Sequence, residues 1–178
     1  IRDSNYLDQM LNGGTRSYFP KVLTRRIDKI VSIPVLKHHR LAHVTLGLKN
    51  LAFGLTSNCM RGHEFIDRYT ADVCAFPPIR DKAVLTILDA LRGQYDKGPR
   101  PSPQHVWTND TIMVASDAVA LDTVGFDLIT QKRIEMGLET TTEAERIATE
   151  HDFLVRAENL GLGVHCGGPI FRRSPSLT

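Results

Sequence analysis

The stretch KHHRLAHVTLGLKNLAFGL, residues 37–55, sets two lysines, three histidines, a threonine and an asparagine among otherwise apolar residues. It follows KIVSIPVLK, residues 29–37, a β-branched segment that predicts a strand ending near Pro34 or running along a sheet edge. In open α/β sheets, ligands bind beyond the carboxyl ends of the strands. Lys37 and His39 lie at the end of this predicted strand and just before a helix N-terminus. This position favours the binding of an anion.

Apolar residues after the first histidines recur at steps of three and four and predict a helix over 41–53, with Gly54 as its C′ residue. The apolar stripe consists of Leu41, Val44, Leu48, Leu51 and Leu55. Lys49 falls on a different face of this helix. It either extends to solvent or enters a site, and the spacing does not decide between the two.

The histidines indicate metal binding as a second chemistry. His39 and His43 are four residues apart, the spacing of two ligands on one helix face, but no acidic third ligand lies nearby. His63, in the segment RGHE, is a further candidate. His39 and His63 are thus candidate metal ligands, with surface or capping groups as the alternative.

Three carboxylates need partners. Asp117 precedes a predicted helix and is most simply its N-cap, whereas Asp122 shares an apolar stripe of that helix with Phe126 and Ile129. Asp89 ends an apolar segment, a position that often points into a site. Because an unpaired buried charge is very costly, we expect these carboxylates to meet the cations of residues 37–49 in one polar pocket.

Three apolar segments, at 29–37, 83–91 and 111–116, predict strands, and helices are predicted between and after them. Such strands, separated by helices, indicate an α/β fold: a parallel or mixed sheet covered by helices on both faces. The predicted helices are a helix end at 3–12, the helix at 41–53, a short one near 62–68, and helices at 118–133, 142–150 and 152–159. Residues 93–110 are rich in glycine and proline and predict a loop.

The length of 178 residues suits one domain, 1–178, although three strands make a thin sheet and suggest that part of the domain precedes Ile1.

The composition is that of a globular protein, with 42% apolar residues, 24% charged residues and a net charge of +2. It includes no basic run of the kind that binds nucleic acid. No apolar stretch is long enough to span a membrane. The cysteines, Cys59, Cys74 and Cys166, are widely spaced and predict reduced thiols rather than a zinc or iron–sulfur site.

Three blocks of the sequence together resemble the DUF362 family, a domain of unknown function. They are IPVLKHHRLAHVTLGLKNLAFGL, LTILDALRGQYDKGP and VASDAVALDTVGFDLI, and they occur in the order of the family over about residues 29–130. The segment AENLGLGV is similar to the tail of the family. By resemblance, the chain is the C-terminal portion of such a domain and lacks the N-terminal part.

The resemblance also implies a set of site residues and a cofactor context. The matching residues are Lys37, His39, Thr45, Lys49, Asn50, Gly54, Asp89, Asp117 and Asp122. His38 departs from the small hydroxyl residue expected between the lysine and the histidine. Some members carry a ferredoxin-like domain, so a divalent metal or an iron–sulfur centre supplied from outside this chain is the implied cofactor. Some similar proteins are exported, so the resemblance is compatible with either a cytoplasmic or an exported protein.

Three functional hypotheses follow. In an enzyme, Lys37 and Lys49 hold an anionic substrate, His39 is the general acid or base, and Asp122 or Asp89 orients a base or a divalent cation, for redox or carbon-acid chemistry. In a binding or electron-transfer module, the histidines and aspartates hold a metal centre without turnover. In a structural network, the charges only pair with one another.

Overall fold

The computed structural model describes residues 2–7, as backbone alone, 17–138 and 153–165. The strands are β1 (Arg2–Leu7), β2 (Tyr18–Pro20), β3 (Ile30–Ser32), β4 (Val35–His39), β5 (His43–Thr45), β6 (Ala83–Gln94) and β7 (Val106–Ala115). The α-helices are α1 (Lys21–Arg25), α2 (Gly47–Gly54), α3 (Ile66–Ala75), α4 (Pro77–Arg80), α5 (Ala118–Glu135) and α6 (Phe153–Asn159). Two 3₁₀ helices cover Cys59–Phe65 and Pro103–His105.

The main sheet is mixed and has five strands with β6 at its centre. β3 and β4 follow one another along one edge of β6 and run parallel to it, whereas β7 runs antiparallel along the other edge. β5 is the antiparallel partner of β4, and β1 pairs with β2 in a separate ribbon. Lys37 lies opposite Gln94, so the carboxyl ends of β4 and β6 meet at one edge of the sheet.

The core lies between one face of the sheet and the helices. Leu36 of β4 and Leu88 of β6 are fully buried there. α5 packs against this face through Gly125, where an added Cβ would lie 2.7 Å from the side chain of Leu46 and 3.5 Å from that of Leu88. The missing side chain therefore lets the helix approach the sheet closely.

The other face of the sheet is open within the described residues. Val31, Val35, Ile112 and Val114 are 49%, 49%, 59% and 60% exposed. The predicted fold class, an α/β domain with a mixed sheet, is confirmed.

Several predicted elements are confirmed with small shifts in their ends. The strand at 29–37 is β3 followed by β4, with a break at Ile33 and Pro34, and the helix at 118–133 is α5. The helix near 62–68 corresponds to a 3₁₀ helix continued by α3, and the helix at 152–159 is α6. The helix predicted at 142–150 lies outside the described residues.

The helix predicted over 41–53 is wrong in its first half. The chain first turns at residues 40–42 and forms β5, and α2 begins only at Gly47. Nδ1 of His39 accepts hydrogen bonds from the backbone N–H groups of Leu41 and Ala42, both at 3.1 Å, and His43 adopts a positive φ of 58°. This local side-chain-to-backbone bonding stabilises a hairpin turn in place of a helical one.

Three further boundaries differ from the sequence-based expectations. Residues 2–7 form a strand rather than a helix because they pair with β2, and residues 8–12 lie outside the described part. The loop expected at 93–110 is shorter, since β6 runs to Gln94 and β7 starts at Val106. Gly54 is the last residue of α2 and Leu55 is its C-cap, so the expected C′ glycine is also wrong.

The core side of β4 provides a test of this architecture. Leu36→Ala should lower the free energy of unfolding by about 2–5 kcal/mol, because it removes a fully buried side chain from the sheet–helix contact. The neighbouring Val35→Ala is the matched control and should cost less than about 1 kcal/mol, since Val35 is 49% exposed. Urea unfolding followed by circular dichroism measures both. Equal losses would contradict the assignment of the two faces.

Candidate functional site

Lys49 is a buried cation on α2. It is only 6% exposed, and its Nζ lies 3.9 Å from the centroid of the Phe53 ring, one helical turn further on. The described residues provide its ammonium group with no ion pair and no hydrogen bond. Burial, followed by the charge on Lys37, lowers the pKa of Lys49 from 10.5 to about 8, while Cys59 opposes the shift.

His39, the last residue of β4, is 2% exposed and has a fixed tautomer. Because Nδ1 accepts two backbone N–H groups, the ring proton must lie on Nε2. Nε2 is buried and has no partner among the described residues. Burial, followed by the charge on Lys49, lowers the pKa of His39 to about 3, so the ring is a neutral hydrogen-bond donor near pH 7.

His63 has the opposite tautomer. Its Nδ1 lies 3.2 Å from the carbonyl oxygen of Met60, which can only accept, so Nδ1 carries the proton and Nε2 keeps a lone pair. The ring stacks on His39 with 5.8 Å between centroids and meets Phe53 edge to face at 4.9 Å. Lys49, Phe53, His63 and His39 therefore form a continuous chain of contacts, which we call the lysine–histidine cluster.

Lys37 and Thr45 extend this cluster across the β4–β5 hairpin. They lie opposite one another in the antiparallel register, so their side chains share one face of the hairpin. Oγ1 of Thr45 is buried and has no partner among the described residues. Lys37 is the charge that acts most strongly on Lys49. Two cations, an imidazole N–H and a hydroxyl are thus gathered at the carboxyl end of β4.

Asp122 does not pair with Lys49. Its two carboxylate oxygens accept the backbone N–H groups of Gly47 at 2.7 Å and Leu48 at 2.8 Å, at the N-terminus of α2. A Cβ on Gly47 would lie 3.0 Å from Oδ1 of Asp122. Burial raises the pKa of Asp122 to about 7, although the two N–H groups oppose the shift. Asp122 is therefore a positioning residue that fixes the helix carrying Lys49.

The other predicted carboxylates also have backbone partners. Asp117 is the N-cap of α5, where it accepts the N–H of Ala120 at 2.9 Å, and its second oxygen accepts the N–H of Val164 at 2.9 Å. Asp89 accepts the N–H of Leu91 at 3.1 Å. The neighbours of Asp89 in β6, Leu88 and Ala90, are buried on the core face, so Asp89 points to the open face. The three predicted carboxylates thus accept backbone N–H groups, and none of them pairs with the Lys49 ammonium.

Two residues matched by family resemblance lie at the edge of the site. The amide of Asn50 donates to Oγ of Ser32 on β3 at 3.0 Å, which ties α2 to the sheet. Gly54 is exposed, and an added Cβ would meet nothing within 4 Å. Neither position has a contact that indicates ligand binding.

The described residues offer no set of ligands that fits a metal or an iron–sulfur cluster. Within the described residues, no three His, Cys, Asp or Glu side chains are grouped as metal ligands. His39 presents an N–H rather than a lone pair at Nε2, and the thiol of Cys74 donates to the carbonyl of Leu48 at 3.3 Å. Burial raises the pKa of the Cys74 thiol, which keeps it protonated. The metal site predicted at His39 and His63 has no geometric support.

Comparison with known families gives one match. The family model described as Domain of unknown function (DUF362) matches residues 14–127, more than half of the chain. The chain belongs to the DUF362 family. For this DUF362 chain, neither the curated proteins nor the solved structures provide a match. The matched range contains every residue of the lysine–histidine cluster. None of the described helices is long and apolar enough to cross a membrane.

One member of the cluster was missed by the sequence reasoning. Phe53 lies four residues after Lys49, the spacing at which helical side chains meet. This spacing of a lysine and an aromatic residue could have predicted the contact. Phe53 was instead taken for a core residue, because an aromatic residue beside an apolar helix stripe ordinarily packs in the core.

Lys49→Met should stabilise the DUF362 domain. The replaced ammonium is buried without a counter-ion, so below pH 8 the free energy of unfolding should rise, by up to about 3 kcal/mol. The gain should shrink as the pH rises from 8 towards 10.5, because the wild-type lysine then loses its proton in the folded state first. Urea unfolding at several pH values measures this. Lys29→Met, at an exposed lysine, is the control and should change stability little. A destabilised Lys49→Met would mean that the ammonium has a stabilising partner.

Asp122→Asn should change how stability depends on pH. Between about pH 4 and 7 the folded wild type holds a proton on Asp122 that the unfolded chain has lost, so its stability falls as the pH rises through this window. The difference in unfolding free energy between wild type and Asp122→Asn should therefore fall by up to about 4 kcal/mol from pH 4 to 7.

This difference isolates Asp122 from the half-buried His38 and the buried His39. His38 and His39, whose pKa values are lowered to about 4 and about 3, act in the reverse direction in both proteins and cancel. Urea titrations at each pH provide the values. A difference that stays flat between pH 4 and 7 would show that Asp122 does not take up a proton there.

Proposed function

We propose that this DUF362 domain binds a small anionic molecule, a carboxylate or a phosphate, through Lys49, His39 and Thr45, with Lys37 adding positive charge. The observation that supports this most directly is the ammonium of Lys49, which is 6% exposed and without an ion pair or hydrogen bond in the described part of the chain. Buried charges in native proteins are ordinarily paired. An anion entering from solvent would supply the missing partner.

The other unpartnered atoms strengthen the proposal because they are complementary to the same ligand. Nε2 of His39 presents an N–H, and Oγ1 of Thr45 presents a hydroxyl that can donate. Buried polar groups without partners are rare, yet three such atoms lie on the adjoining strands β4 and β5: Nε2 of His39, Oγ1 of Thr45, and Nδ1 of the neighbouring His38. An oxyanion accepts from an ammonium, an imidazole N–H and a hydroxyl at once.

The arrangement favours an enzyme over a binding module, on account of His63. The neutral His39 is suited to polarise an oxygen atom but is a weak base, since its pKa is lowered to about 3. His63 keeps a lone pair on Nε2 and stacks on His39, so it takes the role of proton acceptor that the sequence assigned to His39. A site that only held an anion would need no base. Carbon-acid chemistry on a bound carboxylate or phosphate is therefore the preferred form of the proposal.

Anion binding can be measured with inorganic phosphate and malonate as probes. Isothermal titration calorimetry should give binding to the wild type that Lys49→Met weakens by at least about tenfold, because a charged hydrogen bond is lost. Lys49→Arg should keep most of the affinity, and Lys29→Met should leave it unchanged.

The pH dependence provides a second measure of the same binding. Affinity should fall as the pH rises through 8, where Lys49 loses its proton. The titratable groups around Lys49 are Lys37, Cys59, His39 and His63, of which His39 is neutral throughout this range. Equal binding of both probes by wild type and Lys49→Met would refute the proposal.

A further inference from the structure

Lys49 has the surroundings of a nucleophile as well as those of a cation. Its amine is buried, lies against the Phe53 ring, and lacks the carboxylate that would hold a lysine in its charged form. A second cation, Lys37, acts on it from β4. Desolvation and a neighbouring positive charge are the two means by which proteins make a lysine amine reactive towards carbonyl groups. The lowered pKa, about 8, is consistent with a fraction of free amine near neutral pH.

The groups around the amine differ in role. Nε2–H of His39, Oγ1–H of Thr45 and the ammonium of Lys37 can all bind an oxyanion without the help of Lys49. Nε2 of His63 can accept a proton. Phe53 joins the two parts, because its ring contacts both the Lys49 ammonium and the His63 ring. A ligand with a carboxylate next to a carbonyl carbon would use every one of these groups.

We propose that Lys49 forms an imine with a 2-oxo acid, and that His63 exchanges a proton at the carbon next to the imine. This inference rests on the proposed anion site and names its substrate class. The Lys49 nitrogen attacks the carbonyl carbon. The carbonyl oxygen takes up two protons, one from the attacking nitrogen and one from solvent, and leaves as water, which gives a protonated imine. Nε2 of His63 then removes a proton from the adjacent carbon to form an enamine, and returning a proton restores the imine. Hydrolysis releases the acid and the free lysine, so neither oxidant nor reductant is required.

Each neighbour has a defined part in this sequence. The Phe53 ring stabilises the positive charge of the protonated imine as it does that of the ammonium. His39, Thr45 and Lys37 hold the carboxylate and thereby place the carbonyl carbon at Lys49. Asp122 keeps the first turn of α2 in position through Gly47 and Leu48.

Pyruvate is the probe for the imine itself. The protein is incubated with pyruvate and sodium cyanoborohydride, digested, and mapped by mass spectrometry. One reduced pyruvate adduct should accumulate at Lys49 at least about tenfold faster than at the exposed Lys29. Lys49→Arg, which keeps the positive charge, should lose this adduct while Lys29→Arg retains it. Labelling of Lys49 no faster than Lys29 would overturn the proposal.

Proton exchange tests the role of His63. In D₂O, wild-type protein should speed the loss of the pyruvate methyl signal in proton NMR, and Lys49→Arg should abolish that acceleration. His63→Gln should slow the exchange while the adduct trapped at Lys49 by cyanoborohydride still forms. Exchange that is unchanged in His63→Gln would remove His63 from the mechanism, and exchange that is unchanged in Lys49→Arg would remove the imine.

Calorimetry with pyruvate separates this inference from the anion site on which it rests. Pyruvate binding without an adduct at Lys49 would refute the imine and leave the anion site standing. No binding of pyruvate, phosphate or malonate would refute both. Circular dichroism of Lys49→Arg and His63→Gln confirms that a lost adduct or a lost exchange does not come from loss of the fold.

Discussion

The carboxylate of Asp122 at the start of α2 is the interaction on which the site depends. It comes from the middle of α5 and accepts two backbone N–H groups that would otherwise be unpaired at a helix N-terminus. An acid in this position also meets the positive end of the helix dipole. Lys49 and Phe53 follow within the next two turns of α2. The hydrogen bonds between Asp122 of α5 and the start of α2 therefore fix the position of both side chains relative to the sheet.

The cluster beyond that helix is built of groups whose burial is unfavourable. A desolvated ammonium, an unpartnered imidazole N–H and an unpartnered hydroxyl all lower stability in the unbound protein. The carboxylates that the sequence predicts as their partners, Asp89, Asp117 and Asp122, instead accept backbone N–H groups. This separation of positive from negative charge is the feature that supports the proposed anion site.

His39 shows how one side chain joins the fold to the site. Its Nδ1 fixes the turn between β4 and β5, and the same two hydrogen bonds decide that the ring presents a proton at Nε2. The stacked ring of His63 is fixed in the opposite tautomer by the Met60 carbonyl. Two adjacent histidines thereby take separate roles, one as donor and one as acceptor, without any difference in residue type.

The sequence by itself determined the α/β class, the strand that ends in Lys37, His38 and His39, and the helix capped by Asp117. These follow from local patterns of apolar residues and caps. Only the tertiary structure decided that Asp122 binds backbone rather than Lys49 and that His63 stacks on His39. Those outcomes depend on hydrogen bonds and ring contacts between residues distant in sequence, such as the 75 positions between Gly47 and Asp122. No local spacing encodes contacts of that kind, because the fold alone brings the partners together.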